Sequence, residues 1–380
     1  MTHRLNTLYM FITRGCNLRC RHCYIGARYD AGAKLPPAID VSLFRDVVRQ
    51  AKRLGVSYVK LSGGEPLVHP RIGEILEITG RERIDVVLST NGVLCTPSLV
   101  KELSRIRLRG ISVSLDGADA GTHEWVRGEK GCFAKTLRGI RALADAGLSP
   151  NIAMVVLRRN IDQVEAIVGL AESTGASSVT FNLAQPTGRG ATMHDDGEFP
   201  AVRDLIELGG RVQQLSRRTP LALAYTLPPA FKPLGGIAGK GYGMCGILGI
   251  LGVLSDGSLG LCGAAEEMPE LIFGHAGRDD LEAVWRQAPL LKELRAGLPD
   301  RFRGICGECL MRSVCQGRCI AQNYYRCRDV WAPHWFCEEA DSEGLFPETR
   351  RQGRQADDTT GSRSRAASAK GAVVSGAVIS

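Results

Sequence analysis

The chain has 380 residues, of which 44% are hydrophobic and 23% charged, and its formal net charge is +8. That length suits one barrel-sized domain plus a smaller one. No stretch reaches the roughly 20 apolar residues of a membrane span, and the first fifteen residues lack a basic region followed by an apolar signal core. The positive balance does not point to nucleic acid, because the basic residues are scattered, aromatics make up only 6%, and the segment from Phe346 onward supplies +3 of the charge. Thirteen cysteines in a large chain without an export signal, grouped at metal-ligand spacings, read as thiols of a reducing compartment. The expected location is the cytoplasm.

From Leu5 to Leu183, short β-branched runs alternate with amphipathic helical patterns, the signature of βα units around a parallel sheet. The predicted strands are Leu8–Ile12, Ser57–Leu61, Asp85–Ser89, Gly110–Leu115, Asn151–Leu157 and Ser178–Leu183. After the first strand, Asp40 caps a helix whose apolar stripe is Phe44, Val47, Val48, Ala51 and Leu54. Thr96 and Pro97 open a second helix carrying Leu99, Val100, Leu103 and Ile106. Leu137, Ile140 and Ala144 form another stripe, ended by Gly147. Asn160 with Gln163 resembles a capping pair before Val164, Ile167, Val168 and Leu170. A loop with His194, Asp195 and Asp196 leads to a helix near Ala201–Leu215. Residues 1–226 therefore form the first domain. The Pro- and Gly-rich segment 227–244 reads as a linker to a second domain at 245–345, and 346–380 as a disordered tail.

Loops after the first four strands are polar or glycine-rich, and such loops at one end of a parallel sheet are where ligands bind. The first holds Cys16-x-x-x-Cys20-x-x-Cys23. Three thiolates can hold three corners of a cubic iron–sulfur cluster and leave one iron open. Two alternatives stand beside this: a structural zinc site, which usually needs four ligands, and inert buried cysteines. His22 lies between two of the cysteines, where its ring is poorly placed to join them.

The run Gly15-Cys16-Asn17-Leu18-Arg19-Cys20-Arg21-His22-Cys23-Tyr24, with Gly63-Gly64-Glu65-Pro66 after the second strand, resembles the radical S-adenosylmethionine (SAM) enzymes. The resemblance implies an α/β fold, a partial (β/α)6 TIM-like barrel with its active site at the C-terminal ends of the strands. It implies that the open iron held by Cys16, Cys20 and Cys23 binds the amino and carboxylate groups of SAM, whose reductive cleavage yields a 5′-deoxyadenosyl radical. Glu65 then matches the amino-group contact, with Gly63 and Gly64 allowing close backbone approach. Asn91, Ser114 and Asp116 match contacts to the ribose or methionyl portion. Arg127 matches a carboxylate contact, against the bland reading of a solvated loop arginine, and Tyr24 a residue near the adenine. Cys95 and Cys132 read as packing residues.

Downstream, Cys245, Cys262, Cys306, Cys309, Cys315, Cys319 and Cys337 follow CX(9–15)GX4C, a gap, CX2CX5CX3C, a gap and C. This array resembles the SPASM domain of many radical SAM enzymes, so the likeness spans about residues 5 to 345. It implies two auxiliary [4Fe-4S] clusters, three clusters in all. Cys306, Cys309, Cys315 and Cys337 would complete one. Cys245, Cys262 and Cys319 would hold another that is one ligand short, leaving either an iron open to a group such as a peptide thiolate or a place for Cys327. Zinc remains the alternative for Cys306–Cys319 taken alone.

The resemblance implies an oxidoreductase that modifies a ribosomal peptide or protein, with net electrons passing to an auxiliary cluster. Radical oxidation of a tetrapyrrole or other small cofactor precursor is the second reading, and a non-catalytic iron–sulfur electron carrier a third. A flavodoxin- or ferredoxin-type reductant is expected, with no nucleic-acid or membrane partner. With fifteen residues before Cys16, a peptide substrate is expected to need a separate leader-recognition protein or direct binding at the barrel mouth.

Overall fold

A computed structural model describes residues 3–29, 37–237 and 246–352. All six expected strands are present: β1 (Thr7–Phe11), β2 (Tyr58–Ser62), β3 (Asp85–Thr90), β4 (Leu108–Ser114), β5 (Asn151–Val156) and β6 (Ser178–Leu183). A seventh, β7 (Ala222–Tyr225), pairs parallel with β6. Its pattern is too short and too exposed at Ala222 and Ala224 to stand out from the surrounding polar sequence. Beyond it lie β8 (Ile250–Val253), β9 (Ser258–Gly260) and β10 (Ile272–His275). They join the same sheet, whose order is β10-β9-β8-β1-β2-β3-β4-β5-β6-β7. β8 runs parallel to β1, with Leu8 opposite Leu251 and Met10 opposite Val253.

The first strand of the C-terminal cysteine region thus extends the barrel sheet, and of the expected linker 227–244 residues 238–244 lie outside the described residues. Leu227, Pro229 and Ala230 are buried, and Phe231 meets Phe336 and Phe346 edge-on at 5.0 and 5.6 Å. Residues 346–352 are likewise placed in the fold. Phe346 is buried, Leu310 N donates to Arg350 O at 2.8 Å, and Arg351 bonds Glu308 at 2.7 Å. The rest of the expected tail, 353–380, and Cys245 lie outside the described residues.

The helices that cover the barrel are α1 (Val41–Arg53), α2 (Ile72–Arg81), α3 (Pro97–Leu103), α4 (Ala120–Arg127), α5 (Cys132–Asp145), α6 (Val164–Ser173), α7 (Arg189–Asp195) and α8 (Val202–Leu215). Asp40 caps α1 by accepting from Ser42 N at 2.8 Å and Leu43 N at 3.2 Å, which satisfies two otherwise unpaired donors of the first turn. The buried stripe of α1 is Val41, Phe44, Val47, Val48 and Ala51, one face at three-and-four spacing. Gly147, at φ 73°, follows α5 as expected.

Asn160 and Gln163 do not cap α6. Asn160 accepts from Leu157 N at 2.7 Å and donates to Asp116 O and Val155 O at 2.8 and 2.9 Å, while Gln163 accepts from Ala118 N at 2.8 Å. Both therefore brace the loop after β4, where tertiary bonds take the groups a cap would use. The His194 segment is helical, as α7. The C-terminal region adds α9 (Leu281–Gln287), α10 (Pro289–Gly297), α11 (Gly304–Glu308), α12 (Arg312–Cys315), α13 (Ile320–Cys327) and α14 (Trp335–Ser342).

Phe44 is fully buried between α1 and the sheet. Phe44→Ala is expected to cost about 3–5 kcal/mol, read as a lowered midpoint in chemical denaturation.

Candidate active site

The loop Thr13–Tyr24 leaves the C-terminal end of β1 and is held by its neighbours through backbone contacts. Gly64 N donates to Thr13 O at 2.7 Å, Glu65 N to Gly15 O at 2.8 Å, and Gly15 N to Thr13 Oγ1 at 2.9 Å. Gly63 sits at φ 143°, and a Cβ on Gly64 would lie 2.1 Å from Gly15 O. The two glycines thus admit the backbone of the cysteine loop itself, a use that GGEP spacing alone does not disclose. From the far side, Arg19 N donates to Arg127 O at 3.1 Å and Arg21 N to Val126 O at 2.9 Å.

Cys16 and Cys20 are buried and Cys23 partly so. Leu18 N donates to Cys16 Sγ at 3.4 Å. Burial pushes the Cys16 and Cys20 thiols above their ordinary range, so cluster binding here would release protons. This donor set fits the group the resemblance implies: buried sulfurs, backbone N–H aimed at one of them and a guanidinium at another, the kind of hydrogen bonding that tunes such clusters.

Glu65 is buried with both oxygens engaged. Oε1 accepts from Thr90 Oγ1 at 2.7 Å and Leu67 N at 3.1 Å, and Oε2 from Asn91 N at 2.7 Å. Burial outweighs these donors and raises its carboxyl to about 7. Asn91 in turn donates through Nδ2 to Asn17 Oδ1 at 2.7 Å, inside the cysteine motif. Pro66 is buried at the start of a short turn of 3₁₀ helix. Glu65 and Asn91, the residues that the resemblance matches to SAM contacts, also link the second and third loops to the first.

Asp116 is wholly buried after β4. Its Oδ1 accepts from Val155 N at 2.8 Å and its Oδ2 pairs with Arg127 Nη2 at 2.7 Å. Burial works against its charge, but Arg127 and His22 outweigh that and hold the carboxyl below its usual range. Arg127 is no solvated loop residue. It ends α4, is 7% exposed, and reaches Cys20 Sγ through Nη1 at 3.6 Å. His22 Nε2 lies 3.7 Å from Asp116 Oδ2, and burial lowers its pKa to about 4. Its ring therefore turns toward Asp116. Ser114 stands half-buried at the end of β4.

In the C-terminal region Cys306, Cys309, Cys315 and Cys337 line one small cavity, together with apolar side chains such as Phe302, Ile305 and Phe346. Met311 N donates to Cys309 Sγ at 3.3 Å and His334 N to Cys306 Sγ at 3.4 Å. The Cys306 and Cys337 side chains hydrogen-bond to each other. Among the described residues no three of His, Cys, Asp and Glu converge on a point as they would on a single ion; thiolates of a cubic cluster each meet a different iron and need not do so.

Cys262 and Cys319 form a second group. Burial, then Cys319, pushes the Cys262 thiol up to about 12. Tyr24, the last residue of the first loop, has its phenol raised by burial and then by Cys262, Cys23 and Cys319. Cys327 is exposed at the end of α13, whose N-terminal cap is Cys319. Eight residues of helix separate them by about 12 Å. Cys95 and Cys132 pack in the core.

A family model described as "Radical SAM superfamily" matches residues 10–171. An AdoMet-dependent heme synthase of Methanosarcina barkeri is 30% identical over 353 residues, covering 89% of this chain and 97% of that one. The chain belongs to the radical SAM superfamily. As a radical SAM enzyme it uses a [4Fe-4S] cluster and SAM. A mycofactocin maturase MftC of Mycobacterium ulcerans is 28% identical over 356 residues, 93% of each chain. Among solved structures, Streptococcus suis SuiB bound to its precursor peptide SuiA matches with TM-score 0.69 at 19% identity, over 89% of this chain and 77% of that one. The partial-barrel radical SAM fold that the resemblance implies is therefore the observed one. No helix among the described residues is long and apolar enough to cross a membrane.

Asp116→Asn leaves the Arg127 guanidinium buried beside a neutral partner, and is expected to cost about 3–5 kcal/mol in chemical denaturation. Gly64→Ala is expected to displace the cysteine loop and lower reconstituted iron by about four per chain, measured by metal analysis.

Proposed function

We propose that this radical SAM enzyme oxidatively modifies a ribosomal peptide or protein, with Cys16, Cys20 and Cys23 holding the SAM-binding cluster. The observation that carries this reading is a second cysteine site beside the first: the three-thiol loop follows β1, and Cys306, Cys309, Cys315 and Cys337 line one cavity in the region whose first strand pairs with β1. Cys306, Cys309, Cys315 and Cys337 would hold one auxiliary [4Fe-4S] cluster. Cys262 and Cys319, with Cys245, would hold the other, whose free position is suited to a substrate group such as a thiolate. Likeness to the mycofactocin maturases, and in fold to SuiB with its precursor peptide, supports a peptide as substrate.

When bound, the first cluster and SAM supply a 5′-deoxyadenosyl radical that takes a hydrogen atom from the substrate. The chain's own residues prepare that chemistry. Gly63 and Gly64 seat the cysteine loop, Glu65 and Asn91 brace it, and Arg127 places a fixed positive charge beside Cys20. Glu65 would meet the amino group of SAM, Asn91, Ser114 and Asp116 its ribose or methionyl portion, and Arg127 its carboxylate or that of the substrate. Tyr24, next to Cys23 in the sequence, would pack near the adenine of SAM. The reductant would be a small low-potential protein of the flavodoxin or ferredoxin type.

A second reading is oxidation of a tetrapyrrole precursor, favoured by the match to the M. barkeri heme synthase over nearly the whole of that chain. One experiment addresses both. After anaerobic reconstitution, three clusters correspond to about twelve irons, falling to about eight when Cys16, Cys20 and Cys23 are all replaced by Ala, with SAM cleavage lost. Release of 5′-deoxyadenosine stimulated by a peptide encoded beside the gene, with a matching mass change in that peptide, is the expected result. Stimulation by an iron–tetrapyrrole carboxylate instead would establish the second reading, and an iron content near four would overturn the three-cluster assignment.

A further inference from the structure

The segment Pro186–Gly190 after β6 carries no obvious chemistry in the sequence, yet it makes a dense set of contacts to the three-cysteine loop. Arg189 N donates to Cys23 O at 2.9 Å. Arg189 Nε donates to Cys20 O at 2.8 Å, and Nη1 to Ala27 O at 3.0 Å. One residue thus satisfies three carbonyls of a partly buried turn that has few other partners for them. Gly188 precedes it at φ 55°, and a Cβ there would stand 2.8 Å from Cys23 O and 2.9 Å from the Tyr24 backbone. Only a glycine lets the segment come this close.

The other end of the same element is tied to the C-terminal region. Arg189 opens α7, which ends at Asp195 and is about 10 Å long. Near its end, His194 Nε2 lies 3.6 Å from Glu339 Oε1, and the His194 ring is 6.0 Å from that of Trp335. Both partners sit on α14, the helix that carries Cys337.

We infer that Arg189 is the positioning residue of the three-cysteine loop, setting its curvature between Cys20 and Ala27 and, through α7, referring that curvature to the helix of Cys337. The inference rests on the reading of Cys16, Cys20 and Cys23 as cluster ligands. The guanidinium is suited to it because its planar fork addresses two carbonyls at once, whereas an ammonium is a point charge without that geometry. Arg189 differs from Arg127, which reaches a sulfur: among the described residues its guanidinium hydrogen-bonds to backbone oxygens, and it acts on the thiols through the chain.

The test uses the full chain after anaerobic reconstitution, comparing wild type, Arg189→Ala and Arg189→Lys by iron content and by the EPR spectrum of the reduced protein with and without SAM. The Cys16, Cys20, Cys23 triple Ala variant defines the auxiliary signals. In Arg189→Ala the SAM-dependent signal is expected to fall about ten-fold, the scale of two lost hydrogen bonds. In Arg189→Lys the fall is about three-fold, while auxiliary signals stay at wild-type intensity in both. A SAM-dependent signal equal to wild type in Arg189→Ala would overturn the inference. Complete rescue by Lys, or an equal loss of the auxiliary signals, would overturn it too. A wild-type protein without any SAM-dependent signal would instead sink the ligand reading beneath it.

Discussion

Everything at the candidate active site depends on one constraint: the backbone of the Thr13–Tyr24 loop must be gripped by the backbones of its neighbours. A parallel sheet brings the C-terminal ends of its strands to one edge, so loops far apart in sequence meet there. At that edge Gly63 and Gly64 remove the side chains that would otherwise keep the second loop off the first. The grip is completed by Val126 and Arg127 at the end of α4 and by the loop before α7. Three thiols spanning eight residues of sequence are therefore oriented by partners tens to more than a hundred residues away.

The electrostatics of the site follow from that grip. Asp116 and Arg127 would be costly to bury separately, and each survives because the other and the surrounding backbone pair with it. Their pairing points the remaining guanidinium edge at Cys20. Burial also keeps His22 and His123 neutral near this pair, both with pKa values pushed well down. The one fixed positive charge in direct contact with the cysteine sulfurs is then Arg127, among the described contacts.

The strand and helix pattern was open to reading because each element carries its own local signal: alternation in β3, a three-and-four stripe and an Asp40 cap in α1, a glycine stop after α5. Residues whose local signal competes with a distant partner were not. Asn160 and Gln163 have the spacing of a cap yet spend their amides on the loop after β4. Arg127 has the look of a solvated loop arginine, and burial of the α4 end made it a partner of Asp116. Segment 346–352 has tail-like composition, but Phe346 finds the aromatic group around Phe231 and Phe336. The short strand β7 and the C-terminal extension of the sheet through β8 gave no signal of their own, since both depend on an edge supplied by another strand.

What the sequence by itself determined is the chemistry on offer: thiols at cluster spacing, a glycine pair after the second strand, and a downstream cysteine array, together with the βα alternation that makes a partial barrel. Those are properties of residue type and spacing, which a linear chain carries in full. What only the tertiary structure decided is which partners those groups receive. That Glu65 braces Thr90 and Asn91, that Arg127 faces Cys20, and that Arg189 holds the carbonyls of Cys20, Cys23 and Ala27 all depend on loops meeting at one sheet edge. Such meetings are set by strand order and packing, and no local stretch of sequence encodes them.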